Sequence, residues 1–244
     1  MSPSPGSSQP TTVVPGRRPV AEALRAGRRL REVVVTDPDA VADIVAAARA
    51  ARVAVRTAKR PVLDELCGGA RHQGVLAVAP AFPYVALHEI GEPDLVVVLD
   101  GVTDPQNLGA IARSAEAAGA GAMVLPKRRA AHVTPAAEKA AAGAFSWLRV
   151  ALVPNVVRAI EDFAGRGYWS VGLDGDAPDT VWDSDLLAGR VVLVIGGEGA
   201  GLSRLVAERV DARLAIPLGG RVASLNASAA AAVALFEIAR RRSG

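Results

Sequence analysis

Two short, uninterrupted apolar runs, Leu95–Leu99 and Val191–Ile195, do most to limit what this chain can fold into. A strand with one wet face alternates apolar and polar residues, so a continuous run predicts a strand covered on both faces. Such strands belong to parallel sheets with crossover helices on either side. The surrounding sequence fits. After a strand at Leu95–Asp100 it predicts a helix over Asn107–Ala118, a strand at Ala122–Leu125, a helix over Pro135–Ala142 and a strand at Leu148–Val153. Helix Val156–Ala164, strand Tyr168–Leu173, strand Val191–Ile195, helix Ser203–Arg209, strand Arg213–Ile216 and a closing helix Leu225–Arg241 follow. In that last helix Leu225, Ala229, Val233 and Phe236 read as the buried stripe. The expected class is α/β with a mostly parallel sheet, and its ligands belong in loops beyond the carboxyl ends of the strands.

The chain ahead of this unit has a different texture. Residues 1–12 are rich in Ser, Pro and Gly and read as a disordered tail. Residues 13–80 alternate short helices and strands: helix Pro19–Ala26, strand Glu32–Val35, helix Pro38–Ala51, strand Val53–Arg56, helix Pro61–Cys67 and strand Val75–Ala79. That pattern predicts a small α/β module. Residues 81–93 hold prolines and weak periodicity and read as a linker to the unit at 94–244.

Several classes are excluded. No apolar stretch reaches the ~20 residues of a membrane span. The opening MSPSPGSSQPTT lacks the basic start and apolar core of a secretory signal, so a cytoplasmic protein is expected. Cys67 has no second cysteine to pair with, and three scattered histidines supply no metal-ligand cluster, so no metal is expected. Charge divides unevenly. Residues 1–93 carry 12 basic and 9 acidic side chains, whereas residues 94–244 carry 16 of each, so the net +3 sits in the first part. Arg17, Arg18, Arg25, Arg28, Arg29 and Arg31 cluster there. Arginine suits bidentate contact with phosphate, but a solvated face has the same composition.

Three loops after strands carry the density of polar residues that chemistry needs. In Asp100-Gly-Val-Thr-Asp-Pro-Gln-Asn-Leu-Gly-Ala-Ile-Ala-Arg113, Asn107 is placed to cap a helix. Gly109 leaves room beside Arg113, although an Arg113–Glu116 surface pair fits the same spacing. The second loop, Ile195-Gly196-Gly197-Glu198-Gly199-Ala200-Gly201, lacks the triphosphate pattern G-x-x-x-x-G-K-[ST]. It also fails G-x-G-x-x-G, because Leu202 stands where the last glycine belongs. Glu198 would repel a pyrophosphate and tolerate a ligand with a positive centre. The third loop, Ile216-Pro-Leu-Gly-Gly-Arg-Val-Ala-Ser224-Leu-Asn226-Ala-Ser228, enters the last helix, which either Ser224 or Asn226 could cap.

In this order and spacing the three loops resemble the three signature motifs of the SpoU branch of the SPOUT RNA methyltransferases. The matching stretches are LDGVTDPQNLGAIARSAEAAG, VVLVIGGEGAGLS and LAIPLGGRVASLNASAAAAVALFE. Residues 14–80 resemble the ribosomal-protein-like substrate-binding module that many members carry, and the arrangement is similar to the subgroup that 2′-O-methylates a guanosine of 23S ribosomal RNA. The resemblance implies a parallel α/β methyltransferase domain whose C-terminal part threads a trefoil knot. It implies S-adenosylmethionine held by Gly196, Gly197, Ile216, Leu218, Ser224, Leu225 and Asn226, and a homodimer with the site near the subunit interface. It places Asn107, Arg113, Glu198 and Asn226 at catalytic positions, and it implies RNA contacts from Arg17, Arg18, Arg25, Arg28 and Arg29. The alternatives are the same transfer onto transfer RNA and a catalytically silent RNA-binding or ribosome-assembly protein.

Overall fold

The computed structural model of the protein describes residues 11–243. The chain divides between Pro83 and Tyr84 into two compact units.

The first unit runs β1 (Thr11–Pro15), α1 (Arg17–Arg25), β2 (Glu32–Val35), α2 (Ala42–Ala50), β3 (Ala54–Thr57), α3 (Arg60–Cys67) and β4 (Val75–Pro80). Its sheet has the order β1-β4-β2-β3, with β4 antiparallel to both neighbours and β2 parallel to β3. Alternation along β2 sorts two small cores. Val33 and Val35 pack with Val20, Ile44 and Val45, while Val34 faces Leu63 and Cys67. Cys67 is thus a core side chain. His72 is buried and satisfied, with Nε2 3.0 Å from Asp64 Oδ1 and Nδ1 accepting from the Gly74 amide.

Two boundaries differ from the sequence reading. Of the tail expected over residues 1–12, residues 1–10 lie outside the described residues. Thr11 and Thr12 belong to β1, opposite Pro80 and Ala79 of β4. Nothing local predicts that strand, because its register comes from a partner distant in sequence. Of the segment expected as a linker, residues 81–83 close the first unit and residues 84–93 are built into the second. Val85 bridges to Ala151, Ile90 is buried in the core, and the Tyr84 hydroxyl accepts from the Val133 amide at 2.9 Å. Arg149 Nη1 donates to the Glu89 and Ile90 carbonyls at 3.0 and 3.3 Å, which pins the short 3-10 turn Leu87–Ile90.

The second unit runs β5 (Leu95–Asp100), α4 (Pro105–Ala117), β6 (Ala122–Pro126), α5 (Pro135–Ala141), β7 (Arg149–Val153), α6 (Val156–Gly165), β8 (Trp169–Leu173), β9 (Asp179–Thr180), β10 (Val191–Gly196), α7 (Arg204–Ala207), β11 (Ala212–Ala215) and α8 (Ala227–Arg242). The sheet order is β7-β6-β5-β10-β8-β11-β9, and every pairing in it is parallel. The two apolar runs form its centre: β5 and β10 lie side by side, and Leu95–Leu99 and Val191–Ile195 are each at most 2% exposed. Because the strands are parallel, the loops after β6, β5, β10 and β8 share one edge.

Three local expectations are corrected. Asn107 does not cap α4. Asp104 does, its Oδ1 accepting from the Gln106 amide at 2.9 Å, with Pro105 at the first helical position. Gly109 leaves no space beside Arg113 for a ligand. A Cβ there would lie 2.4 Å from the Ala137 carbonyl oxygen, so the glycine instead lets α5 approach α4. The buried stripe of α8 is Ala227, Ala231, Ala234, Leu235 and Ile238, while Leu225, Ala229 and Phe236 are exposed and Val233 is half-buried. Small side chains let α8 settle against α4 and β10, and that close approach outweighs the hydrophobicity of the larger residues.

Candidate active site at the carboxyl edge of the sheet

The loop after β10 sets the site. Gly196 and Gly197 are required by space: a Cβ on the first would lie 2.1 Å from the Gly201 carbonyl carbon, and one on the second 2.4 Å from the Gly101 oxygen. The loop closes on itself through Gly197 N–H to Gly201 O at 3.1 Å and Gly201 N–H to Gly197 O at 3.0 Å. Asp100, at the end of β5, anchors its far side by accepting from the Ser203 amide at 2.6 Å. Glu198 is therefore carried on a tight, doubly fastened turn.

Three of the four residues expected to be catalytic meet there. Glu198 Oε1 accepts from Asn107 Nδ2 and, at 2.9 Å, from Asn226 Nδ2. Asn107 is buried in the first turn of α4. Asn226 caps α8, its Oδ1 accepting from the Ser228 amide at 2.8 Å and the Ser228 hydroxyl at 2.6 Å. The cap leaves the Asn226 amide nitrogen directed to Glu198. Of the two caps open for this helix, Asn226 is the one used. Arg113 stands apart. Six residues beyond Asn107, it points about 120° away from it around the helix; it is exposed and bonds to none of the other three.

Beside Glu198 opens a cavity of about 750 Å³ lined by the loops after β8, β10 and β11 and by the start of α8. Gly196, Gly197, Ile216, Leu218, Ser224 and Leu225 all line it, whereas Asn226 stands at the Glu198 junction and is not part of the wall. Sequence reasoning missed the β8 side. Asp174 and Asp176 also line the cavity, Asp174 Oδ2 accepting from Arg213 Nη1 at 2.9 Å and Oδ1 from the Asp176 amide at 3.1 Å. Their position just after a central strand of a parallel sheet was the available signal. The walls suit S-adenosylmethionine. Carboxylates (Glu198, Asp174 and Asp176) outnumber the one lining arginine, which is already paired, and this matches a cationic ligand without phosphate. Among the described residues no group of three or more His, Cys, Asp and Glu side chains is placed to hold a metal.

In the first unit Arg17, Arg18 and Arg29 are exposed, Arg25 pairs with Glu22, and Arg28 lies over the Phe82 ring at 5.4 Å. The structure thus gives Arg28 a packing contact as well as a charge.

A fully parallel sheet with a carboxylate-lined cavity and an Asn–Glu–Asn cluster at its carboxyl edge makes this an α/β protein with a site suited to a small cationic ligand. Comparison with known proteins narrows it. Residues 94–236 match the SpoU rRNA Methylase family, and residues 13–85 match the module described as RNA 2′-O ribose methyltransferase substrate binding. A protein of Mycolicibacterium vanbaalenii named "Uncharacterized tRNA/rRNA methyltransferase" is 40% identical over 243 residues, covering 95% of this chain and 77% of its own. The SpoU methyltransferase AviRb of Streptomyces viridochromogenes, solved in complex with AdoMet, superposes with a TM-score of 0.81 at 28% identity, covering 96% of this chain and 92% of its own. An AdoMet-bound rRNA methyltransferase of Sinorhizobium meliloti gives 0.76 at 26% identity, covering 94% and 87%. The chain belongs to the SpoU family, and it is an S-adenosylmethionine-dependent RNA ribose 2′-O-methyltransferase.

Proposed function

We propose that the protein methylates the ribose 2′-hydroxyl of a guanosine in 23S ribosomal RNA, as a cytoplasmic homodimer whose C-terminal part is threaded as a trefoil knot. The observation that carries the catalytic assignment is the Asn107–Glu198–Asn226 cluster at the mouth of the cavity. The family description and an rRNA-methyltransferase neighbour favour ribosomal over transfer RNA, while the mycobacterial relative's name keeps both in view. Phe236, left 52% exposed on α8, supports burial of that helix face against a second copy. No described helix is long and apolar enough to cross a membrane.

When bound, S-adenosylmethionine supplies a methyl group already activated by its sulfonium. Gly196, Gly197, Ile216, Leu218, Ser224 and Leu225 form the walls that hold it, and Asn226 orients the carboxylate next to it. Glu198 uses Oε1 for both amides, which leaves Oε2 to accept the proton of the attacking hydroxyl. Arg113 stays protonated, as guanidinium does in proteins, so its part is to anchor the adjacent phosphate and stabilise the developing alkoxide. The first unit, with Arg17, Arg18, Arg25, Arg28 and Arg29, grips the RNA. The deciding experiment maps 2′-O-methylation in ribosomal and transfer RNA from cells with and without the protein. One guanosine of 23S RNA losing its methyl group is the expected result. A lost mark in transfer RNA replaces the substrate, and no lost mark points to the catalytically silent alternative.

A further inference from the structure

The loop after β6 presents Lys127, Arg128 and Arg129 in succession, all exposed. None of these side chains has a hydrogen bond or ion pair with any described residue. Most other cations of the unit are engaged: Arg166, Arg190, Arg204, Arg209, Arg213 and Arg241 are each paired with a carboxylate. Lys127, Arg128 and Arg129 differ from the scattered unpaired arginines in being three in a row on one loop. The loop is also held firmly. Lys127 N–H donates to Val153 O at 2.9 Å, Ala131 N–H donates to Val102 O at 2.8 Å, and the His132 ring closes its base 3.2 Å from the Pro126 carbonyl. Arg129 keeps φ at 55°, a left-handed conformation that side chains of its size avoid.

Position gives these charges a meaning. β6 neighbours β5, and β5 neighbours β10, so their following loops lie in a row along one edge. The row is continuous: the bond from Ala131 reaches the loop after β5, and that loop touches the loop after β10 where Gly197 meets Gly101. Glu198 and Asn107 stand at this last junction. The cavity opens from there in the other direction, toward β8 and β11. The reacting carboxylate therefore has the cofactor cavity on one side and three unpaired cations on the other.

We propose that Lys127, Arg128 and Arg129 are a phosphate clamp of the catalytic unit, holding the RNA backbone beside the ribose that is methylated. The proposal rests on the RNA-methyltransferase reading. A ribose is flanked by a phosphate on each side, so a strand that brings its 2′-hydroxyl to Glu198 must carry neighbouring phosphates along the same edge. With the β10–β8 side taken by the cavity, the β6 side is where they pass. Two arginines supply bidentate contacts and the lysine a point charge, a set suited to phosphate oxygens whatever the base sequence.

The test uses the full-length protein with two probes, unmodified in vitro transcripts of large-subunit ribosomal RNA and of transfer RNA. The Lys127→Glu/Arg128→Glu/Arg129→Glu variant is expected to raise the KM for the RNA that the wild type methylates by tenfold or more, with unchanged affinity for S-adenosylmethionine. Its slope of log affinity against log salt should fall by about 2, since each lost single-strand phosphate contact removes ~0.7. Arg128→Gln should show the same effect in smaller degree. Arg209→Glu, ahead of β11 at the opposite edge, should leave KM within twofold. If the wild type methylates one transcript and the triple variant keeps both its KM and its salt slope, the clamp is overturned while the enzymatic reading stands. If the wild type methylates neither transcript, the reading itself falls and the clamp with it.

Discussion

At the scale of single residues, the site separates holding from reacting. Glu198 is fixed by two amides from different elements, and Asn226 does double duty because capping α8 turns its nitrogen toward the carboxylate. Arg113 belongs to neither the cluster nor the cavity wall. Its replacement should therefore affect transfer and spare cofactor binding. Arg113→Ala is expected to lower kcat by about 100-fold or more, the cost of removing a preorganised donor from a developing charge. Calorimetry should meanwhile find the Kd for S-adenosylmethionine within about threefold of wild type, a change smaller than the ~1.4 kcal/mol that a tenfold shift represents. Arg113→Lys should not restore the rate, because a point charge does not reproduce a planar fork. A variant that lost cofactor binding but kept turnover at saturating cofactor would show the division to be wrong.

At the scale of elements, α8 illustrates how one helix serves two ends of the fold. Its first turn organises the active site. Its last turn is fastened by Glu237, which accepts from Arg240 at 2.8 Å and from Arg241 Nε at 2.7 Å, while Arg242 Nη2 donates to the Asp94 carbonyl at 2.9 Å. The terminal arginines are thus structural, as their place at a helix C-terminus suggests. The Arg240 bond, joined by Arg241, holds the Glu237 carboxyl down from 4.5 to about 2. A carboxylate whose folded value is depressed contributes stability above its unfolded pKa and loses it as pH falls toward the folded one. Between pH 4.5 and about 2 the wild type should therefore lose melting temperature more steeply than Glu237→Gln, which should be the less stable of the two at pH 7. Thermal melts across that range check it, and parallel curves would mean that the ion-pair cluster adds nothing to stability.

At the scale of the molecule, the division at Pro83–Tyr84 changes what an isolated catalytic unit must contain. A fragment of residues 84–244 is expected to fold and bind S-adenosylmethionine, with weakened RNA affinity and a flatter salt dependence. A fragment beginning at residue 94 lacks the bridge at Val85 and the buried Ile90, whose burial alone contributes ~1.5–3 kcal/mol. It should melt lower than the longer fragment, and equal melting temperatures would return residues 84–93 to the status of a linker. The exposed Phe236 of α8 makes a second whole-molecule prediction. On the proposed homodimer, the wild type should sediment as a dimer at micromolar concentration and Phe236→Glu as a monomer, because a charge placed in an apolar interface loses its hydration. An unchanged dimer would place the interface elsewhere.

How much was legible in the sequence follows from the range of the forces involved. The central strands could be read because five successive apolar residues have only one low-energy fate in a folded chain, burial on both faces. The glycine loop could be read because backbone contacts as close as those of Gly196 and Gly197 exclude every other residue. Asp104 as the cap of α4 was also present in the sequence, as an aspartate directly before a proline, but Asn107 drew the assignment because its polarity suited a cap equally well. Other features were not written locally. β1 exists through a ladder to a strand more than sixty residues away, and the segment at residues 84–93 is ordered by contacts that only the folded unit supplies. The face that α8 buries was decided by fit rather than by hydrophobicity: alanines allow the helix to approach α4, and Phe236 is left outside. The sequence supplied the residue types and spacing on which the proposed catalytic roles rest, since these are covalent facts. Only the tertiary structure decided that Asn107, Glu198 and Asn226 meet while Arg113 looks elsewhere, because the direction of a side chain is set by the packing of the element that bears it.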